Sequence, residues 1–272
     1  MLDIDGTLVG LNDSITPATL TALRSAQAAG IQLALCTGRR YSRAFPLAQR
    51  LGTELPIVTA SGALIKDPRD HRTLFQARFD DQVLREMLNF FEAQGHEPVV
   101  YTDSFGQGYD FHLASPHAIS AELKEFLVLN HESIRIEPDL IRTPPVDVFA
   151  GFVMGNEPAM QALAEEIEHR WPGQLYLHVI RSPRYRGYMC EIAPAGVSKW
   201  SGVQWIAQGL DIPDSAICAV GDDVNDLPML RGAGLGIAMG NASEHVQAAA
   251  NRVTRRQDED GLVQVVEWIL QR

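Results

Sequence analysis

LDIDGTLVG at residues 2–10 and IQLALCTGRR at residues 31–40 are the two segments whose reading decides the fold. The run 31–36 is apolar but for Gln32, which suits a parallel strand buried on both faces, and residues 2–5 read as the tail of another strand. Between them Thr16 and Pro17 form an N-cap and first-turn pair, and Gly30 is a stop, so a helix joins the two strands. Strand, helix and strand in that order predict an α/β fold with a doubly wound, mainly parallel, Rossmann-like sheet. The pattern repeats with a helix from about Arg40 to Leu51 and a strand, PIVTA, at 56–60.

After Ser61 and Gly62 the pattern changes. Residues 63–79 read as short strands joined through the turn KDPRDHR, and Phe79-Asp80 opens an amphipathic helix with Val83, Leu84, Met87, Leu88 and Phe91 on one face. Strands are expected at 99–101, 147–154 and 175–180, and helices at 116–130 and 158–170, so two helices on a mainly antiparallel sheet would form a second unit. From Tyr188 the doubly wound pattern returns, with a helix after Ser198 and strands at 216–220 and 235–239. Residues 77–187 are therefore expected to be an insertion between two pieces, 1–76 and 188–272, of one α/β core.

The 272-residue chain is 46% hydrophobic and 21% charged, which excludes disorder, collagen and a coiled coil and suffices for one large or two medium domains. No apolar run approaches the ~18 residues of a membrane span, and an acidic segment follows Met1 where an export leader would be basic and then apolar. Cys36, Cys190 and Cys218 form no C-x-x-C pair, so neither a zinc knuckle nor a disulfide framework is indicated, and a reducing cytoplasm is the expected compartment. Thirty-four acidic against 23 basic residues give a net charge of -11. That balance argues against broad contact with nucleic-acid phosphates and leaves room for a small anionic substrate held by a local cation.

In a doubly wound sheet ligands bind beyond the carboxyl ends of the strands. The residues at those ends are Asp3 and Asp5, Thr37 with Gly38 and Arg39, Lys199 at the start of a helix, and Asp222, Asp223, Asn225 and Asp226. Clustered carboxylates repel and raise one another's pKa, so a bound divalent cation is implied, and all-oxygen ligation selects a hard ion such as Mg²⁺. If the chain stays extended, Asp3 and Asp5 share a face. One carboxylate can then attack phosphorus to form an aspartyl phosphate, while the other protonates the leaving oxygen and later activates water. Thr37 with the adjacent amides and Lys199 can stabilise the transferring phosphoryl oxygens. Alone, each motif is an ordinary acidic turn, loop or helix-terminal lysine; four of them in order, each at a strand end or helix start, make a catalytic rim.

LDIDGTLVG, LCTGRR, GVSKW, VGDDVNDLPML, IAMGNA and VTRRQDEDGL together resemble the haloacid dehalogenase superfamily of phosphatases, in particular its Cof-type branch. The resemblance implies Asp3 as nucleophile, Asp5 as acid/base, and a Mg²⁺ site of Asp3, Asp222 and the backbone carbonyl of Asp5, with Asp226 in its outer shell. It also implies phosphate contacts from Ile4, Thr37, Gly38, Arg39, Lys199 and Asn225, and a substrate-selecting α/β cap in the insertion. The expected activity is Mg²⁺-dependent hydrolysis of a small phosphorylated metabolite, a sugar phosphate or phosphorylated cofactor, by a monomer or small homo-oligomer with no nucleic-acid or membrane partner. A phosphotransferase or phosphomutase using the same intermediate, and a non-catalytic phosphometabolite-binding protein, are the alternatives.

Three features depart from the family pattern. Only Met1 and Leu2 precede Asp3 where several apolar residues are usual, Ser61 stands where asparagine precedes Gly-Ala, and Trp200 stands where glycine follows the lysine. The last two are expected near the rim, with consequences for substrate fit. The eight histidines lack metal-ligand spacing and read as surface or packing residues. RSPRYRGY at 181–188 is either substrate-facing or an exposed linker, and Cys36 is expected in the core, pointing away from Thr37.

Overall fold

The computed structural model describes residues 1–10, 12–115, 117, 120–181 and 186–271. The chain forms two units, one of Met1–Phe75 with Ser198–Arg272 and the other of Gln76–Val197. Among the described residues no helix is long and apolar enough to cross a membrane.

In the first unit Val58 of the strand Ile57–Thr59 bridges Cys36, Leu35 bridges Leu2, and Leu2 bridges Val220 of the strand Cys218–Gly221. That strand continues into Leu235–Ala238 and then Arg252–Val253, and every one of these contacts is parallel. Numbered by first appearance in the chain, the runs lie in the order 3-2-1-4-5-6, with the switch between the segment holding Asp3 and the strand Cys218–Gly221. A crevice at that switch is where an open α/β sheet binds ligands. An antiparallel hairpin, Leu64–Lys66 and Thr73–Gln76, extends the edge beyond Ile57–Thr59.

Capping places the helices as expected. Thr16 Oγ accepts the Thr19 amide at the start of Pro17–Ala28, Tyr41–Leu51 ends at Gly52 in the left-handed region, and Ser198 and Ser201 close a capping box on Lys199–Gly209. The core beneath is built of Cys36, Val58, Val203, Ala219, Met229 and Ala238.

The expected strand at 31–36 appears only as isolated bridges at Leu35 and Cys36. Leu2 donates to the Ala34 carbonyl at 2.9 Å, and Cys36 donates to the Leu2 carbonyl at 2.9 Å. The Met1 ammonium donates to the Cys218 carbonyl at 2.7 Å, and burial lowers its pKa. Beside it lies an apolar pocket, open to solvent, lined by Leu23, Ile31, Leu33, Ile206, Ile217 and Val265 among others.

The second unit is a six-stranded sheet in the order Ile134–Ile136, Phe111–Leu113, Val99–Tyr101, Ala150–Gly155, Tyr188–Pro194, Leu175–Arg181. All neighbours are antiparallel except the first pair. Asp81–Ala93 and Glu157–Arg170 supply Met87, Leu88, Phe91, Met160 and Ile167 to one cluster with Val153 and Cys190. The helix Ala121–Asn130 supplies Leu123 and Phe126 to a second cluster with Phe152 and Met154. Val153 and Phe152 are consecutive, so the clusters lie on opposite faces, and the sheet carries Asp81–Ala93 and Glu157–Arg170 on one face and Ala121–Asn130 on the other. Of the expected helix at 116–130, residues 116, 118 and 119 lie outside the described residues.

One boundary differs from the sequence reading. Tyr188–Pro194 pairs with Ala150–Gly155 and Leu175–Arg181, so it lies inside the inserted sheet and the core resumes at Ser198, not at Tyr188. An apolar run announces a strand without naming its neighbour. Within RSPRYRGY, residues 182–185 lie outside the described residues.

Candidate active site

Asp3 is fixed at the switch point by its amide, which donates to the Val220 carbonyl at 3.0 Å. The chain then turns, because the amides of Leu8 and Val9 both return to the Ile4 carbonyl, at 3.0 and 2.9 Å. This turn separates the two carboxylates that an extended strand would have aligned. Asp3 goes inward to Lys199, whereas Asp5 meets the guanidinium of Arg39, Nε to Oδ2 at 2.7 Å and Nη2 to Oδ1 at 2.6 Å. Gly6 is required by the turn: its φ is +75°, and a Cβ there would stand 2.1 Å from Asp222 Oδ2.

Lys199 is 1% exposed and opens the helix capped by Ser198. Its ammonium donates to Asp3 Oδ1 at 2.7 Å and to Asp226 Oδ1 at 2.6 Å. Asp226 uses its other oxygen to accept the amides of Asp222 and Asp223, at 2.9 and 3.0 Å, so it orders the loop as well as the lysine. Asp222 accepts from the Thr7 hydroxyl at 2.8 Å and from Asn241 Nδ2 at 3.2 Å, and the same Nδ2 donates to the Gly6 carbonyl. Thr7 and Asn241 were not singled out in the sequence; the DGT and GNA strings that hold them were the available signal.

Thr37 is buried, and its Oγ accepts the Arg39 amide at 3.1 Å, which leaves its own O–H available to donate. Over the bare face of Gly38, Ser61 Oγ and Asn225 Nδ2 stand 3.4 and 3.5 Å from where a Cβ would be. Asn225 Oδ1 is buried without a partner. Ser61 reaches this place through a left-handed turn, φ +46° at Ala60, +54° at Ser61 and +107° at Gly62. Such backbone conformations concentrate at functional sites. Trp200 is not at the rim: its indole covers Gly232, where a Cβ would lie 2.2 Å from Cε2, and it packs on the core. Cys36 is fully buried, its thiol directed to the Lys199 carbonyl at 3.4 Å, as a core residue should be.

The electrostatics follow from three carboxyls around one ammonium. Burial opposes the charge of Lys199, but Asp226 and Asp3 hold it protonated, well above its ordinary pKa. Burial pushes the Asp3 carboxyl well up; Lys199 pulls it back, and Asp226 and Asp222 add to the rise. Asp222 is pushed up to about 7 by burial and by the charge of Asp226, against the Thr7 hydroxyl. One carboxylate oxygen each from Asp3, Asp222 and Asp226 lie within 4.8 Å of one another. A close set of oxygen donors with excess negative charge fits a hard divalent cation. Among the described residues no histidine joins such a set.

Comparison with known proteins finds likenesses along nearly the whole chain. The family model of haloacid dehalogenase-like hydrolases matches residues 1–266. The chain is 29% identical to the 5-amino-6-(5-phospho-D-ribitylamino)uracil phosphatase YitU of Bacillus subtilis over 98% of this chain and 95% of that one. It is 27% identical to the pyridoxal phosphate phosphatase YbhA of Escherichia coli over 97% and 96%. Among solved structures, a haloacid dehalogenase-like hydrolase from Bacteroides thetaiotaomicron superposes with a TM-score of 0.80 at 25% identity, covering 98% of this chain and 97% of that one. Matched along nearly its whole length, with an Asp3–Lys199–Asp226 centre at the switch of a doubly wound sheet, the chain belongs to the haloacid dehalogenase-like hydrolases.

Proposed function

We propose that the protein is a Mg²⁺-dependent phosphatase of small phosphorylated metabolites working through an aspartyl phosphate on Asp3. The observation that carries this reading is the buried ion cluster, in which Lys199 holds one oxygen of Asp3 in place beside Asp222 and Asp226. Relatives named as phosphatases of pyridoxal phosphate and of a phosphoribityl compound support the substrate class.

Asp3, Asp222 and the Asp5 carbonyl would hold Mg²⁺, with Asp226 behind them. The ion would supply charge neutralisation for a dianionic phosphate approaching an acidic cluster. The oxygen of Asp3 attacks phosphorus, the ester P–O bond breaks, and its electron pair leaves on the alcohol oxygen, which takes a proton from the Asp5 carboxyl. Water then attacks the phosphorus of the acyl phosphate and gives a proton to Asp5. The bond to Asp3 breaks, and inorganic phosphate is released. Lys199, the Thr37 hydroxyl, the Ile4, Gly38 and Arg39 backbone and Asn225 Nδ2 are the donors for the phosphoryl oxygens. The inserted unit, Gln76–Val197, selects the leaving group.

A panel of phosphate esters assayed for phosphate release with Mg²⁺ and with EDTA tests this reading. Release should require the metal and vanish in Asp3→Asn, whose amide is nearly isosteric but a poor nucleophile. Turnover of more than a few per cent in that variant would place the nucleophile elsewhere.

A further inference from the structure

Arg39 lies between two carboxylates. Besides the fork on Asp5, its Nη2 donates to Asp13 Oδ1 at 2.6 Å, and Arg43 donates to Asp13 Oδ2 at 2.9 Å. The Arg39 side chain is 7% exposed. Burial opposes its charge, yet the two carboxylates raise its pKa. Arg43, Asp13, Arg39 and Asp5 thus alternate in sign along one chain of contacts. Asp13 enters it from a left-handed backbone, φ +56°, which aspartate tolerates better than most residues.

A guanidinium gripping both oxygens fixes the plane of a carboxylate, which a lysine could not do. Arginine is itself long and rotatable, so the grip is only as fixed as its far side, and the far side here is Asp13. We propose that Asp13 is a positioning residue: through Arg39 it sets the orientation in which Asp5 transfers a proton to the leaving oxygen. This rests on the reading of Asp5 as acid/base, and no other residue of the cluster needs a new role for it.

The test compares p-nitrophenyl phosphate, whose leaving group departs without a proton, with the alkyl ester hydrolysed fastest in the panel. Asp13→Asn should lower kcat for the alkyl ester about tenfold, with KM changed less than about twofold and aryl turnover nearly intact. Asp13 is 30% exposed at its side chain, and unchanged circular dichroism and melting temperature should show that the fold survives. In an Asp5→Asn background, adding Asp13→Asn should change nothing further, because a residue acting only through Asp5 is silent without it. Equal losses for both esters, no loss for either, or additive losses in the double variant would overturn the proposal. If Asp5→Asn itself leaves the alkyl-to-aryl ratio unchanged, the acid/base reading fails. If that ratio changes with Asp5→Asn but not with Asp13→Asn, the positioning role alone fails.

Discussion

Lys199 neutralises two buried carboxylates at once, so replacing it by the similarly shaped methionine strands Asp3 and Asp226 without a cation. Breaking a buried pair from one side costs about 3–5 kcal/mol, and Lys199→Met should lose that much in urea unfolding without metal. Added Mg²⁺ should restore part of it; a loss below ~1 kcal/mol would mean that water reaches the cluster. Asp67 offers a contrast away from the site. Its carboxylate accepts the Arg69 amide and side chain, which lowers its pKa to about 2. A depressed carboxyl stabilises the fold above its unfolded pKa of ~3.9, and the contribution is lost as pH falls through the folded value. The melting-temperature gap between wild type and Asp67→Asn should therefore be flat from neutral pH to about 4.5 and close below that. A gap that persisted to pH 2 would assign the effect to shape instead of charge.

Among the elements, the turn at Ala60–Gly62 packs directly on the start of the helix Lys199–Gly209. A Cβ on Gly62 would stand 2.1 Å from the Ser198 carbonyl, at φ +107°. Gly62→Ala should thus displace the start of the helix that carries Lys199, with a stability loss of about 3 kcal/mol or more and a larger fractional loss of turnover. A variant as stable and active as wild type would show that the helix start is adaptable. The helices were legible from their caps and stops, and the rim residues from their place after apolar runs, since both signals are local. The pairing of Asp5 with Arg39 was not legible, because it depends on the turn at Ile4 that breaks an extended strand. Tyr188–Pro194 was read into the wrong unit for a related reason: strand partners are non-local. Trp200 was placed at the rim by its neighbour Lys199, although successive helical residues face different ways.

Two units with separate cores, one of them carrying the whole ion cluster, should respond differently to metal. A ligand that binds only the folded state stabilises by RT ln(1 + [L]/Kd), ~2.7 kcal/mol at a hundredfold excess over Kd. Adding Mg²⁺ with inorganic phosphate should slow amide exchange in residues 1–75 and 198–271 and leave most of 76–197 unchanged, and EDTA should reverse it. Uniform slowing would indicate that the units unfold as one. The Asp222 carboxyl, pushed up to about 7 by burial and by Asp226, has a further consequence, for the acidity of the medium. A cation needs that oxygen ionised, so loading Mg²⁺ near neutral pH should expel protons, and the heat of binding should differ between buffers of unlike ionisation enthalpy. Heats that agree across buffers would show that the carboxyl is ionised before the metal arrives. To its surroundings the metal-free cluster is a small buffer that the ion discharges.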